Sequence, residues 1–106
     1  MADMETLAAL ADPTRRRIVE VLAGGPLSSG DIASRFPITK PAVSQHLKAL
    51  RQARLVRVRA EAQRRIYELD PEGVGELAAW VERLKAFWNP RLDVLEANLK
   101  QEADHE

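Results

Sequence analysis

One stretch of the chain carries amide, hydroxyl and ammonium side chains at a spacing that could bind nucleic acid bases. Between residues 39 and 53, Val43, Leu47 and Leu50 fall within about 60° of one another on a helical wheel. The opposite side, which holds no acid, carries Pro41, Ser44, Gln45, Lys48 and Gln52. Glutamine can pair with an adenine edge, lysine can reach guanine or phosphate, and serine can bond to either. The pattern predicts a helix with one core face and one base-reading face; the alternative is an ordinary solvated face.

The start of this helix offers a second kind of contact. Thr39 suits the N-cap position, where the free backbone amides of the first turn can also meet a phosphate. His46 has no second histidine or cysteine near it, which disfavours a metal-ligand role. We expect its ring either to pack at the helix edge or to meet a phosphate.

Arginines are concentrated in the segment that follows. Val56 and Val58 alternate with polar residues, which indicates a half-buried strand, and a return strand fits residues 64–69. Four arginines of this hairpin are candidates for phosphate or minor-groove contact: Arg57, Arg59, Arg64 and Arg65. We expect two of them to touch DNA, with Arg64, near the tip, the best single choice. The alternative is that some pair with acids of the last helix.

The charges of the chain are separated although they sum to zero. Residues 39–65 hold eight lysines and arginines against one acid, whereas residues 70–106 hold four against nine acids. A basic middle can neutralise phosphates. The acidic last third would be repelled by DNA, so we expect it to lie away from it.

Capping residues and helix breakers set the first helices. Residues 3–10 form a short helix with Leu7 and Leu10 on one face, and Asp12-Pro13 starts a second helix that residues 24–26 (Gly-Gly-Pro) end.

A third helix should begin at Ser28, with Asp31 in a capping-box-like position. Its inward residues are Ile32, Ala33 and Phe36. Because Pro37 breaks the helix, residues 36–38 form a tight connector to the helix capped by Thr39. Two short helices with such a turn have helix-turn-helix spacing.

The last helix, started by Asp70-Pro71, has an apolar seam with one stutter at Pro90, where we expect a kink or a break. Its apolar surface exceeds what a three-helix core can cover. We therefore expect a homodimer interface made of Leu7, Leu10, Leu77, Trp80, Val81, Leu84, Phe87, Trp88, Leu92 and Leu95. A ligand pocket lined by Trp80, Phe87 and Trp88 is the alternative.

Three segments together resemble the ArsR-type winged-helix repressors: LADPTRRRIVEVL (10–22), LSSGDIA (27–33) and ITKPAVSQHLKAL (38–50). The similarity continues through the hairpin, and FWNPRLDVLEANL (87–99) resembles the metal-independent, SdpR-like branch. The resemblance implies a mainly α fold with a small β-hairpin, a winged helix-turn-helix between N- and C-terminal dimerisation helices. It also implies operator binding by a homodimer, mostly as a repressor. By the same resemblance, Lys40, Ser44, Gln45, His46 and Lys48 lie in the recognition helix.

The chain departs from the metal-sensing members of that family. It has no cysteine, so the pair those members carry at about residues 29–33 is missing. Its last helix has no histidine before His105, in a tail we expect to fray. The glycine usual at the hairpin tip is also absent. We expect no metal site and no cofactor.

The length of 106 residues predicts one domain, with a core at about 12–70 and dimerisation helices at about 3–10 and 71–101. No apolar run is long enough for a membrane span and no signal peptide is recognisable, which favours the cytoplasm. No catalytic constellation or phosphate-binding glycine loop is present, which argues against an enzyme. The prediction is a dimeric regulator that binds double-stranded DNA, with any small-molecule effector unspecified. A winged helix that docks an acidic protein is the alternative.

Overall fold

Helices and a small sheet alternate along the part of the chain that the structure describes. The computed structural model describes residues 4–104, with side chains for all of them except 89–97 and 100–104. Its elements are α1 (Met4–Ala11), α2 (Pro13–Ala23), β1 (Leu27–Ser28), α3 (Ser29–Ala33), α4 (Lys40–Gln52), β2 (Val56–Glu61), β3 (Arg64–Leu69) and α5 (Pro71–Asp104). The strands form an antiparallel sheet in the order β1-β3-β2. The mainly helical fold with a hairpin is confirmed.

Side-chain caps fix where four of the helices begin. A side-chain oxygen of Asp12, Ser28 and Thr39 accepts a hydrogen bond from the backbone N–H three residues on, at 3.0, 3.1 and 3.3 Å. Asp70 accepts one from the backbone N–H two residues on, at 3.0 Å. Each oxygen satisfies an amide that the first helical turn leaves without a partner. The predicted starts of α2, α3, α4 and α5 are confirmed.

The third helix is shorter than predicted. It ends at Ala33, and residues 34–39 rather than 36–38 connect it to α4. The N–H groups of Arg35 and Phe36 bond to carbonyls three residues back, at 3.0 and 3.4 Å, which tightens the chain into turns. Pro37 also disfavours helical geometry at the residue before it. Phe36 is buried as expected, but from the connector.

A two-residue strand was missed by the sequence reasoning. Leu27 pairs with Tyr67 and Ser28 with Ile66, so that β1 joins the start of α3 to the hairpin. Two residues carry no periodicity, and only the partner strand identifies them.

The predicted hairpin is confirmed, with β2 and β3 in register from Val56↔Leu69 to Glu61↔Arg64. Its turn is two residues long, and Ala62, the first of them, has φ 57°. Two-residue hairpin turns need positive φ there, a conformation that costs a residue with a Cβ about 1–2 kcal/mol.

The core lies between α2, α3, α4 and the sheet. Its fully buried large side chains are Ile18, Ile32, Leu47, Leu50 and Leu55. Val43, Leu47 and Leu50 are all at most 2% exposed, which confirms the predicted core face of α4.

A tight turn ends α4 and leads into β2, and the first turn of α5 packs against it. The N–H of Leu55 bonds to the Leu50 carbonyl and that of Arg54 to the Arg51 carbonyl, both at 3.0 Å, with Arg54 at φ 62°. This is the Schellman arrangement that ends many helices. Gly73 lies against this turn, where a Cβ on it would be 1.7 Å from the Arg54 carbonyl oxygen. The close approach sets the position of α5 relative to α4.

α5 is one helix from Pro71 to Asp104, so of the two outcomes expected at Pro90 the break is wrong, and the kink stays a prediction. Proline removes one hydrogen bond from a helix interior, and the helix nevertheless continues on both sides of position 90. Val74 and Leu77 pack against the core, and the helix then projects from it, giving extents of 67 × 29 × 22 Å. Within the described residues, no helix is both long and apolar enough to cross a membrane.

Candidate nucleic-acid interface

The polar face predicted for the fourth helix is exposed in the structure. Burial of the opposite face fixes the rotation of α4 about its axis. The exposed residues of the polar face are Thr39, Lys40, Pro41, Ser44, Gln45, Lys48 and Gln52. No residue of α4 is acidic. Gln45 and Ser44, beside each other and flanked by the two lysines, can together hydrogen bond with bases and attract phosphate.

His46 lies at the edge of this face and is partly buried. Its Nδ1 accepts a hydrogen bond from Arg15 Nε at 3.3 Å and lies 3.9 Å from Asp12 Oδ2, with 22% of the side chain exposed. The backbone N–H of Arg15, and less strongly the charge of the Arg15 side chain, hold the pKa of Asp12 below its ordinary value, against partial burial. Of the two expected placements, the structure has His46 packed at the helix edge, against the start of α2.

The hairpin of β2 and β3, called the wing below, carries its own acids beside its arginines. Arg57 Nε lies 3.0 Å from Glu68 Oε1, and Arg59 Nη1 lies 2.9 Å from Glu61 Oε2. A second contact joins Arg59 Nε to Glu68 at 3.7 Å. Among the residues with described side chains, the carboxylates within 4.0 Å of these two arginines lie on the wing itself, opposite or beside them in the ladder, and not on the last helix.

The two arginines next to the wing turn differ in their surroundings. Arg64 Nη2 donates to Ser28 Oγ at 3.0 Å and lies 3.2 Å from Asp31 Oδ2. Arg65 pairs across the ladder with Ala60 and is exposed. Among the residues with described side chains, no carboxylate oxygen lies within 4.0 Å of the Arg65 guanidinium.

Sequence reasoning missed the contacts that tie these residues to distant parts of the chain. Arg15 reaches His46 across 31 positions, and Asp31 reaches Arg64 across 33. Arg54, counted only as a basic residue, pairs with Glu72 of α5 at 2.9 Å, which raises the pKa of the guanidinium. No local signal marks such pairs, because they depend on how the elements pack.

An apolar surface extends over α1 and α5. Phe87, Trp88 and Leu84 are 58%, 47% and 43% exposed, and the first two rings meet edge to face at 5.7 Å. Of the predicted interface residues, the exposed ones are Leu7, Val81, Leu84, Phe87 and Trp88. The partly buried ones are Leu10, Leu77 and Trp80. The side chains of Leu92 and Leu95, and all of His105, lie outside the described residues.

Between residues 4 and 104, wherever side chains are described, no group of three or more histidines, aspartates, glutamates or cysteines could hold a metal ion.

Comparison with known proteins adds an independent line of evidence. Residues 10–59, from the end of α1 into β2, match a family model described as a helix-turn-helix domain. The chain is 52% identical over 84 residues to the HTH-type transcriptional regulator Rv2034 of Mycobacterium tuberculosis, covering 79% of this chain and 76% of the relative. It is 38% identical over 73 residues to the transcriptional repressor SdpR of Bacillus subtilis, covering 69% and 81%.

Solved structures agree with these sequence matches. One is the homodimeric winged helix-turn-helix DNA-binding domain Mb0332 from Mycobacterium bovis, a possible ArsR-family transcriptional regulator. It superimposes with a TM-score of 0.65 at 30% identity, over 77% of this chain and 76% of that one. The hairpin thus occupies the place of the wing in a winged helix-turn-helix fold.

Proposed function

This chain belongs to the ArsR-type family of winged helix-turn-helix transcriptional regulators, and from that premise we propose that it represses transcription as a homodimer on a two-fold operator, without sensing a metal. Residues 12–70 form the DNA-reading unit of this proposal, and the flanking helices form the dimer. The observation that carries it is the exposed, acid-free face of α4.

The recognition surface proposed on α4 combines two kinds of contact. Ser44 and Gln45 hydrogen bond with base edges in the major groove, and Lys40 and Lys48 reach guanine or phosphate. Thr39 brings the first helical amides to a phosphate, and Pro41 lies on the same exposed turn. Of the polar residues near this face, His46 has the least freedom to reach DNA, because Arg15 already bonds to its ring.

The wing extends the basic surface beside the recognition helix. Arginines suit phosphates and narrow minor grooves, and the four on this hairpin are Arg57, Arg59, Arg64 and Arg65. Exposed ion pairs contribute only about 0–1 kcal/mol, so the acids beside Arg57 and Arg59 do not prevent those two side chains from turning toward phosphates.

The apolar surface of α1 and α5 supports the homodimer. Monomeric proteins seldom leave an aromatic and aliphatic strip of this kind in water. Phe87 and Trp88 are about half exposed in one chain, and a second copy of the strip would cover them. The homodimeric Mb0332 domain has the same fold. A two-fold protein presents its two recognition helices to half-sites about one helical turn apart.

The absence of cysteine and the isolation of His46 in the sequence support independence from metal. Thiolate ligands are impossible because the chain has no cysteine. His46 has no second histidine or cysteine near it in the sequence that could complete a metal site. We expect neither zinc nor a chelator to change operator affinity.

Selection of bound sequences from a random DNA pool tests the proposal. We expect a two-fold motif that binds at least about 10³-fold more tightly than random DNA at equal salt. A reporter under that motif should be silenced by the protein. Enrichment of no motif would contradict sequence-specific binding, and activation of the reporter would contradict repression.

A further inference from the structure

Arg64 joins the wing to the helix-turn-helix through a single nitrogen. Its Nη2 lies 3.0 Å from Ser28 Oγ and 3.2 Å from Asp31 Oδ2. Ser28 is 6% exposed, caps α3 and pairs with Ile66 of the wing in the sheet. The contact therefore connects the residue that follows the wing turn with the first turn of α3.

The buried hydroxyl makes this contact more than a surface ion pair. An exposed arginine and carboxylate alone stabilise little. The Ser28 Oγ, however, also accepts the N–H of Asp31 at 3.1 Å, so that two donors occupy the two lone pairs of the hydroxyl. Loss of Arg64 would leave a buried oxygen half satisfied and would release the wing turn from α3.

Arg65, in contrast to Arg64, makes no hydrogen bond or ion pair with α3 among the described residues. Successive residues of a strand point to opposite faces of the sheet, so Arg65 cannot share the contact made by Arg64. Its neighbour across the ladder is Ala60, and its side chain is exposed. Within the described part of the chain no acid competes for it at 4.0 Å.

We propose that Arg64 is a positioning residue that holds the wing against α3 through Ser28 and Asp31, and that Arg65 supplies the phosphate contact of the wing. The inference rests on the proposed DNA-binding function. It replaces the expectation from sequence that Arg64 is the best single phosphate contact. The wing then meets DNA at an angle fixed by α3, the helix next to the recognition helix.

Salt dependence of operator binding separates the two roles. Each phosphate that a protein neutralises adds about 0.9 to the slope of log affinity against log salt. Because a dimer carries two copies of Arg65, Arg65→Gln should lower the slope by about 1.8, which is about 0.9 for each protomer. Arg64→Gln should weaken binding about five-fold and leave the slope unchanged.

Asp31→Asn makes the test sharper, because operator affinity should rise if Asp31 competes with phosphate and fall if Asp31 holds the wing in place. Removal of an acid near a DNA surface should raise affinity if that acid merely competes with phosphate for Arg64. If it positions the wing, Asp31→Asn should weaken binding, though by less than Arg64→Gln because the bond from Arg64 to Ser28 remains, and the double variant should be no weaker than Arg64→Gln alone. A lower slope for Arg64→Gln, or tighter binding by Asp31→Asn, would overturn the inference.

Amide hydrogen exchange on the protein without DNA tests the contact separately. The amides of β2 and β3 should exchange about five-fold faster in Arg64→Gln than in the wild type, and faster by a smaller factor in Asp31→Asn, which keeps the Ser28 contact. Arg65→Gln should not change them. Equal protection in all three variants would refute the positioning role. If the wild type bound no DNA, the proposed function would fail, and the exchange rates would still decide whether Arg64 holds the wing.

Discussion

Substitution of Gly73 by alanine adds only one methyl group, yet it should destabilise the protein strongly. The added Cβ would lie 1.7 Å from the Arg54 carbonyl oxygen and 2.6 Å from its carbon. Carbon and oxygen atoms in close contact are about 3.3 Å apart, so the two segments must separate by about 1.6 Å. A shift of that size would lengthen or break the nearby hydrogen bond from the Asp70 N–H to the Leu55 carbonyl, which is 2.9 Å long.

The loss of stability can be estimated from the steric overlap and the lost hydrogen bond, less the gain in helix propensity. Overpacking typically costs about 1–3 kcal/mol, a lost hydrogen bond about 1, and the better helix propensity of alanine returns up to about 1. We expect the free energy of unfolding to fall by about 2–3 kcal/mol, which lowers Tm by roughly 10–20 °C in a domain of this size. Thermal unfolding at fixed protein concentration measures it, because Tm of a dimer depends on concentration.

Gly75→Ala is the matched control, since it adds the same methyl group two residues along the same helix. A Cβ there meets nothing within 4 Å. Helix propensity alone should then raise stability by about 0.5–1 kcal/mol. If Gly73→Ala melted within about 2 °C of the wild type, the close approach between α5 and Arg54 would be refuted.

Three further predictions concern the recognition face, the dimer and a helix cap. Gln45→Ala should cost about 1–3 kcal/mol of operator affinity and relax base choice at one position of each half-site, measured by binding to a panel of operator variants; unchanged affinity and preference would remove Gln45 from the reading face. Trp88→Ala should shift sedimentation toward monomer, and an unchanged dimer would contradict its place in the interface. Asp12→Ala should lose about 1 kcal/mol of stability at pH 7. Because folding lowers the pKa of Asp12, that difference should shrink in urea titrations as pH falls below about 4; a constant difference would contradict the cap.

Much of the fold could be predicted because its signals are local. A cap such as Thr39 bonds to an amide three residues away, and the burial period of α4 repeats within one helix. Strand alternation at Val56 and Val58 similarly needs only neighbours. The same signals predicted which side of α4 is exposed, and with it the candidate reading face.

The sequence by itself therefore determined the order of the elements, their starting residues and the two faces of the recognition helix. Tertiary structure alone decided the strand at Leu27, the partners of Arg64 and His46, and the need for glycine at position 73. Each of these depends on atoms brought together from distant parts of the chain, and no periodicity within one segment encodes such a contact. For that reason the wing arginines, alike in sequence, have different neighbours in the folded protein.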